Sequence, residues 1–175
     1  MTQSNLRTRV ALIDMGVTPR NTWIDITNLS MMMTGQPLHV LDTDRIVGMI
    51  CVRSAKTDEK CVDLTGKEHL LQEGDIVIAD DEKILAIAGI IGCQCAAVND
   101  QTTNVLVEIA NFDPICIRKT SKRLGLRTDA VVRFEKDINP AWSQMISHML
   151  QHHEMIPTQS QILTLSLEQV HRKIR

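Results

Sequence analysis

The chain has 175 residues, 43% of them hydrophobic and 23% charged. That is the size of one domain, or one domain with a tail, in a globular balance that excludes disordered, collagen-like and coiled-coil architectures. With 19 basic and 21 acidic residues the net charge is −2. The chain is no dedicated polyanion binder, so any nucleic-acid contact has to come from a local patch.

In chain order, Met1 to Asn5 leads into no signal-peptide core. Asn21 to Met33 reads as a helix, with Trp23, Ile24, Ile26, Leu29 and Met32 at helical spacing. Gly35 ends it and Pro37 forbids its continuation. Gly35-Gln36-Pro37-Leu38-His39 is expected to be a tight turn, and Ile46 to Val52 a strand. Cys61 to Leu64 reads as a strand followed by a turn at Thr65-Gly66-Lys67. Ile76 to Ala79 and Ile84 to Ala88 form a hairpin about the acidic turn at 80–83, and Gly89 to Gly92 is a glycine-punctuated loop. Asn104 to Ala110 alternates Val105, Val107 and Ile109 against Asn104, Leu106 and Glu108, the pattern of a half-buried strand.

Helices are expected at Ile115 to Leu124, Asp129 to Lys136 and Ala141 to His153, the last after Asn139-Pro140. Pro157 to Gln161 reads as a linker and Ile162 to Leu167 as a further strand. Strands in the middle and helices towards the ends give an α+β class. The longest apolar runs, such as Ile84 to Ile91, are too short to span a bilayer, and the expectation is a soluble, cytoplasmic protein.

Tyr is absent, and Trp23, Trp142, Phe112 and Phe134 are the only aromatics, so the core is aliphatic. Four aromatics argue against a base-stacking single-strand binder. Five cysteines, an odd count with no secretory context, argue against a disulfide framework. Cys93-Gln94-Cys95 is spaced too closely for half of a structural zinc site, and no His follows at ligand spacing; no metal is expected. Cys93 reads as a small buried hydrophobe rather than a catalytic thiol, and His148, His152 and His153 as solvent-facing.

Four short segments are unusual for a bland domain: Thr27-Asn28, the turn carrying His39, the Gly89 to Gly92 loop, and Glu108 inside an apolar strand. Taken singly, each has an ordinary explanation. His39 suits a hydrogen-bonded turn, Glu108 a solvated strand face, and the glycine pair a plain turn, too sparse for a dinucleotide fingerprint. A fifth segment, Arg118 to Lys136, holds seven bases (Arg118, Lys119, Lys122, Arg123, Arg127, Arg133, Lys136) against Asp129 and Glu135. Its local charge suits a phosphate backbone, although a solvated basic helix has the same composition.

In order, Asp25-Ile26-Thr27-Asn28, Gly35-Gln36-Pro37-Leu38-His39, Asp42 to Ile46, Val77 to Asp80, Ala88 to Gly92, Arg123 to Ala130 and Arg133 to Lys136 form a series. From about residue 15 to about residue 140 it closely resembles the editing domain of the beta subunit of bacterial phenylalanyl-tRNA synthetase. The resemblance implies a three-layer α+β domain with a β-sandwich of unusual topology and flanking helices. It also implies hydrolysis of tyrosine misattached to the phenylalanine tRNA, with no cofactor.

The family's pocket positions match Asn28, His39, Gly89, Gly92, Glu108 and Thr128. Glu108 would accept the tyrosine hydroxyl, and the Gly89 to Gly92 backbone would line the pocket. His39 and Asn28 would position the ester or a water, with Thr128 closing the side. Arg118, Lys119, Lys122, Arg123, Arg127 and Arg133 would contact the tRNA. The synthetase alpha subunit and the remaining beta-subunit domains are the implied partners, with no membrane. Cys93 stands where the family usually shows a glycine, and Asp137 where glycine is frequent. On this reading residues 1–156 are the editing-type domain, and 157–175 are a linker and the start of the next one. Two alternatives remain: a non-catalytic RNA-contacting module, and a free-standing protein that edits in trans.

Overall fold

The computed structural model describes residues 3–151. Its first element is not announced by the sequence pattern. Helix α1, Leu6–Asp14, starts at Asn5, whose side chain accepts from the Thr8 N–H at 2.9 Å. Helix α2, Thr22–Thr34, is the expected one, capped by the Asn21 side chain on the Ile24 N–H and closed at Gly35. Buried Asp25 accepts from the Ser4 hydroxyl and the Arg20 N–H, tying the N-terminal segment onto α2.

Two expectations need correction here. His39 is not on a turn. It lies on strand β1, Leu38–Asp42, which pairs antiparallel with β8, Val105–Ile109, from Leu38 opposite Ile109 to Asp42 opposite Val105. Pro37 ends the helix, but the apolar residues after it find a partner strand far along the chain. The expected strand at 46–52 is also largely absent. A 3-10 turn occupies Thr43–Arg45, and β2 begins only at Cys51 and runs to Ser54. The Val47 N–H donates to the Asp80 carboxylate at 2.9 Å and the Met49 N–H to that of Asp81 at 3.3 Å. Side-chain acceptors thus replace the carbonyls that a ladder would supply.

Strands β3, Lys60–Val62, and β4, Glu68–Leu70, make a small hairpin. β5, Ile76–Ala79, and β6, Ile84–Ile87, form the expected hairpin. The glycine-punctuated loop contains a further short strand, β7, Ile91–Gly92, paired back onto β6. The larger sheet has the order β2-β5-β6-β7, beside the two-stranded sheets β1-β8 and β3-β4. Helices α3, Pro114–Leu124, α4, Asp129–Phe134, and α5, Ala141–Gln151, follow. His152 and His153, the linker at 157–161, the strand at 162–167 and the boundary after residue 156 lie outside the described residues.

Alternation along β1 and β8 separates two faces. Leu38, Val107 and Ile109 pack with Ile26 of α2 and with Ile146 and Leu150 of α5. Leu41 and Leu106 turn the other way and meet Leu85 and Ala96. Phe112, Ile117, Val131 and Phe134 join the four-stranded sheet in the largest core cluster. Helices and antiparallel sheets are layered without a barrel, and the class is α+β. Among the described residues no helix is long and apolar enough to cross a membrane.

Candidate functional site

The register of β1 on β8 sets His39 directly opposite Glu108. Their Cβ atoms are therefore about 4.5–5.5 Å apart on one face of the ladder. That face is the one that carries Leu41 and Leu106 towards the four-stranded sheet. Between the sheets lies a cavity of about 80 Å³, partly open to solvent. Pro37, Leu38, His39 and Glu108 line it from one side. Ala86, Ile87 and the Gly89 to Gly92 backbone line it from the other, and Ala130 and Phe134 of α4 close it. Gln36, fully buried, donates its amide to the Pro37 carbonyl at 3.1 Å and to the Ala110 carbonyl at 2.8 Å. This clamps the start of β1 to the end of β8, the two ends nearest the cavity.

Both titratable residues are pushed away from their ordinary behaviour by burial. Desolvation raises the Glu108 carboxyl to about 7, and no charge or hydrogen-bond partner among the described residues offsets it. Desolvation lowers the His39 imidazole to about 4, so the ring is neutral near pH 7. Among the described residues its buried Nε2 has no hydrogen-bond partner. A buried polar atom left open in this way is costly unless a ligand answers it.

The two glycines serve different purposes. A Cβ on Gly92 would stand 2.5 Å from Cε1 and 2.6 Å from Nε2 of His39, so the missing side chain is what lets the imidazole rest on the strand. Gly89 has φ +67°, and a Cβ there would meet Ile117 Cδ1 and Phe112 Cδ2 at 2.8 Å, in the core. Only its backbone borders the cavity.

His39, Glu108, Gly89 and Gly92 therefore come together around one opening. Asn28, half-buried on α2, is not among the residues that line it. Thr128 is not either: it caps α4 by accepting from the Val131 N–H at 3.2 Å and donates to the Ile90 carbonyl at 2.8 Å. It anchors α4 to the loop that walls the cavity. Ala130 and Phe134 were not foreseen, although their i, i+4 spacing on α4 is a readable sign of one shared face.

Of the basic residues, Arg123 pairs with buried Asp75, Arg127 with Glu135 at 2.6 Å and Arg133 with Asp129 at 3.0 Å. Arg118 donates to the Glu135 carbonyl at 3.1 Å. Lys119 and Lys122 are exposed on α3, on the side away from buried Ile117, Thr120 and Ser121. Among the described residues no group of three or more His, Cys, Asp or Glu is arranged to hold a metal ion.

A family profile described as the B3/4 domain matches residues 1–153. The chain belongs to the B3/4 domain family. Its relatives include the phenylalanine--tRNA ligase beta subunit of Fusobacterium nucleatum, 45% identical over 125 residues, covering 71% of this chain and 16% of that protein. The corresponding subunit of Protochlamydia amoebophila is 46% identical over 133 residues, 75% of this chain and 16% of that protein. That of Aquifex aeolicus is 42% identical over 137 residues, 78% of this chain and 18% of that protein. This B3/4 domain thus spans less than a fifth of the length of the relatives it matches.

Proposed function

We propose that this B3/4 domain hydrolyses the ester between tyrosine and the phenylalanine tRNA, and so supports phenylalanyl-tRNA synthesis. The observation that carries the reading is the Glu108 carboxyl, half-buried opposite His39 at an open cavity and, among the described residues, answered by no protein donor. A phenolic hydroxyl entering the cavity would donate to it. A phenyl ring would leave it unpaired, and a site built around a hydroxyl rejects the analogue lacking one by up to about 10⁴-fold or more. That preference is the reverse of what a phenylalanine-charging site requires, so the two sites act as successive sieves.

In this reading neutral His39 holds the ester or the attacking water, with Gly89 and Gly92 as the wall, and Asn28 stands on α2 outside the cavity lining. Thr128 acts by fixing α4 against that wall. The exposed cations of α3, with Arg127 and Arg133, face the tRNA backbone. The matched relatives are synthetase beta subunits, which supports tRNA, an alpha subunit and further beta-subunit domains as partners, and the cytoplasm as the place of work.

The test is deacylation of tyrosyl and phenylalanyl esters of the phenylalanine tRNA at pH 6 and pH 8. Tyrosyl ester should be hydrolysed faster at both. Its advantage should grow at pH 8, because Glu108 ionises through about pH 7 and a carboxylate is the stronger acceptor. Equal rates for the two esters at both pH values would refute the proposal.

A further inference from the structure

Cys61 and Cys93 stand apart from the other three cysteines. Both are buried in the largest core cluster, whereas Cys51 and Cys95 are exposed and Cys116 is half-buried. Cys61 lies on β3, the hairpin strand whose other edge residues, Lys60 and Val62, are exposed. Two residues further on, Asp63 makes an isolated antiparallel bridge with Cys93, and the Leu64 N–H donates to the Gly92 carbonyl at 3.0 Å. Cys61 and Asp63 project to the same side of their strand, and Cys93 faces Asp63 across the bridge. The two thiols are therefore diagonal neighbours in one packed layer.

We propose that Cys61 and Cys93 form a reversible disulfide, a redox modification site that ties the β3–β4 hairpin to the strand bearing Gly92.

The thiols are chemically unequal, as a pair of attacking and resolving cysteines is. Interaction between the two side chains lowers the Cys61 thiol and raises that of Cys93, and burial raises Cys93 further. The oxidant is hydrogen peroxide or another small peroxide. The Cys61 thiolate attacks one peroxide oxygen, breaking the O–O bond to give a sulfenic acid and hydroxide. The Cys93 sulfur then attacks the sulfenic sulfur, the S–S bond forms and the hydroxyl leaves as water. Overall two thiols lose two electrons and two protons, and one peroxide becomes two waters. Access comes through opening of the two-stranded hairpin, which is too small to be stable by itself. A dithiol reductant reverses the linkage. The tether reaches the cavity as well, since Cys93 directly follows the glycine on which the His39 ring rests.

The experiment treats the reduced wild-type chain with hydrogen peroxide, then measures intact mass and maps non-reduced peptides. The expected result is a loss of about 2 Da, assigned to a Cys61–Cys93 linkage and reversed by dithiothreitol. Closing this loop of about 33 residues should raise the melting temperature by about 5–10 °C. Cys61→Ala and Cys93→Ala should each abolish the linkage, while Cys51→Ala, Cys95→Ala and Cys116→Ala should retain it. A linkage mapping to Cys93 and Cys95, or oxygen added at Cys51 and Cys95 with no 2 Da loss, would overturn the proposal. Mapping on the wild type needs no variant to fold, and no step of the test depends on hydrolysis.

Discussion

A carboxylate at position 108 works against the fold whenever it is ionised. Its folded value of about 7 lies above the ordinary 4.5, so between these limits the folded chain keeps a proton that the unfolded chain has lost. The associated stability is present below pH 4.5 and disappears as pH rises through 7. His39 has the opposite sign: its folded value of about 4 lies below 6.5, so its contribution is present above pH 6.5 and lost as pH falls towards 4. Glu108→Gln removes only the first effect. The variant should melt close to wild type at pH 5 and above it at pH 8, as read by thermal denaturation. A difference that does not change with pH would mean the carboxyl is not desolvated. At this scale the sequence pattern was informative where a residue broke it: Glu108 interrupts an apolar strand, whereas the Pro37-Leu38-His39 pattern reads as a turn and His39 stands on a strand. Asn28 and Thr128 carry no such contrast, and neither lines the cavity.

Among the elements, α4 shows how a short helix is held in place. It has only six residues, Asp129–Phe134, too few to persist without tertiary anchors. Thr128 supplies two at once, a cap to Val131 and a hydroxyl bond to the Ile90 carbonyl. Thr128→Val keeps the volume and deletes both, leaving the carbonyl of buried Ile90 unanswered. The expected cost is about 1–3 kcal/mol, measured by urea denaturation. A loss below about 0.5 kcal/mol would show that α4 is fixed by Val131 and Phe134 packing alone. Elements whose signals are local were legible: the capped α2, the 76–87 hairpin, the alternating β8. Elements defined by distant partners were not. β1 exists because β8 pairs with it from across the chain, and the 46–50 segment is a loop because Asp80 and Asp81 take its N–H groups.

On the scale of the whole molecule, the basic segment divides into structural and available charge. Arg123 holds buried Asp75, and neutralising it would strand a carboxylate in the core. Lys119 and Lys122 are exposed on α3, next to no such core acid. Replacing both by Ala should weaken tRNA binding, flatten the dependence of log K on log salt by about 1–2 units and leave the melting temperature nearly unchanged. An unchanged slope would mark them as a solvated face. Composition alone could not make this division, because a paired and an unpaired arginine are the same letter. The strands β5, β6 and β8 were legible one by one without being legible as a cavity: the space between the sheets depends on the His39–Glu108 register and on Gly92 yielding room to the imidazole.

The central claim is that Glu108 reads a hydroxyl, and single-turnover deacylation by wild type and Glu108→Ala tests it most directly. Removing a charged acceptor from one hydrogen bond costs about 1.5–3 kcal/mol, so tyrosyl ester hydrolysis should fall on the order of 10–150-fold. Phenylalanyl ester hydrolysis should hardly change, and melting temperature serves as the folding control. A folded Glu108→Ala that hydrolyses tyrosyl ester as fast as wild type would contradict the account.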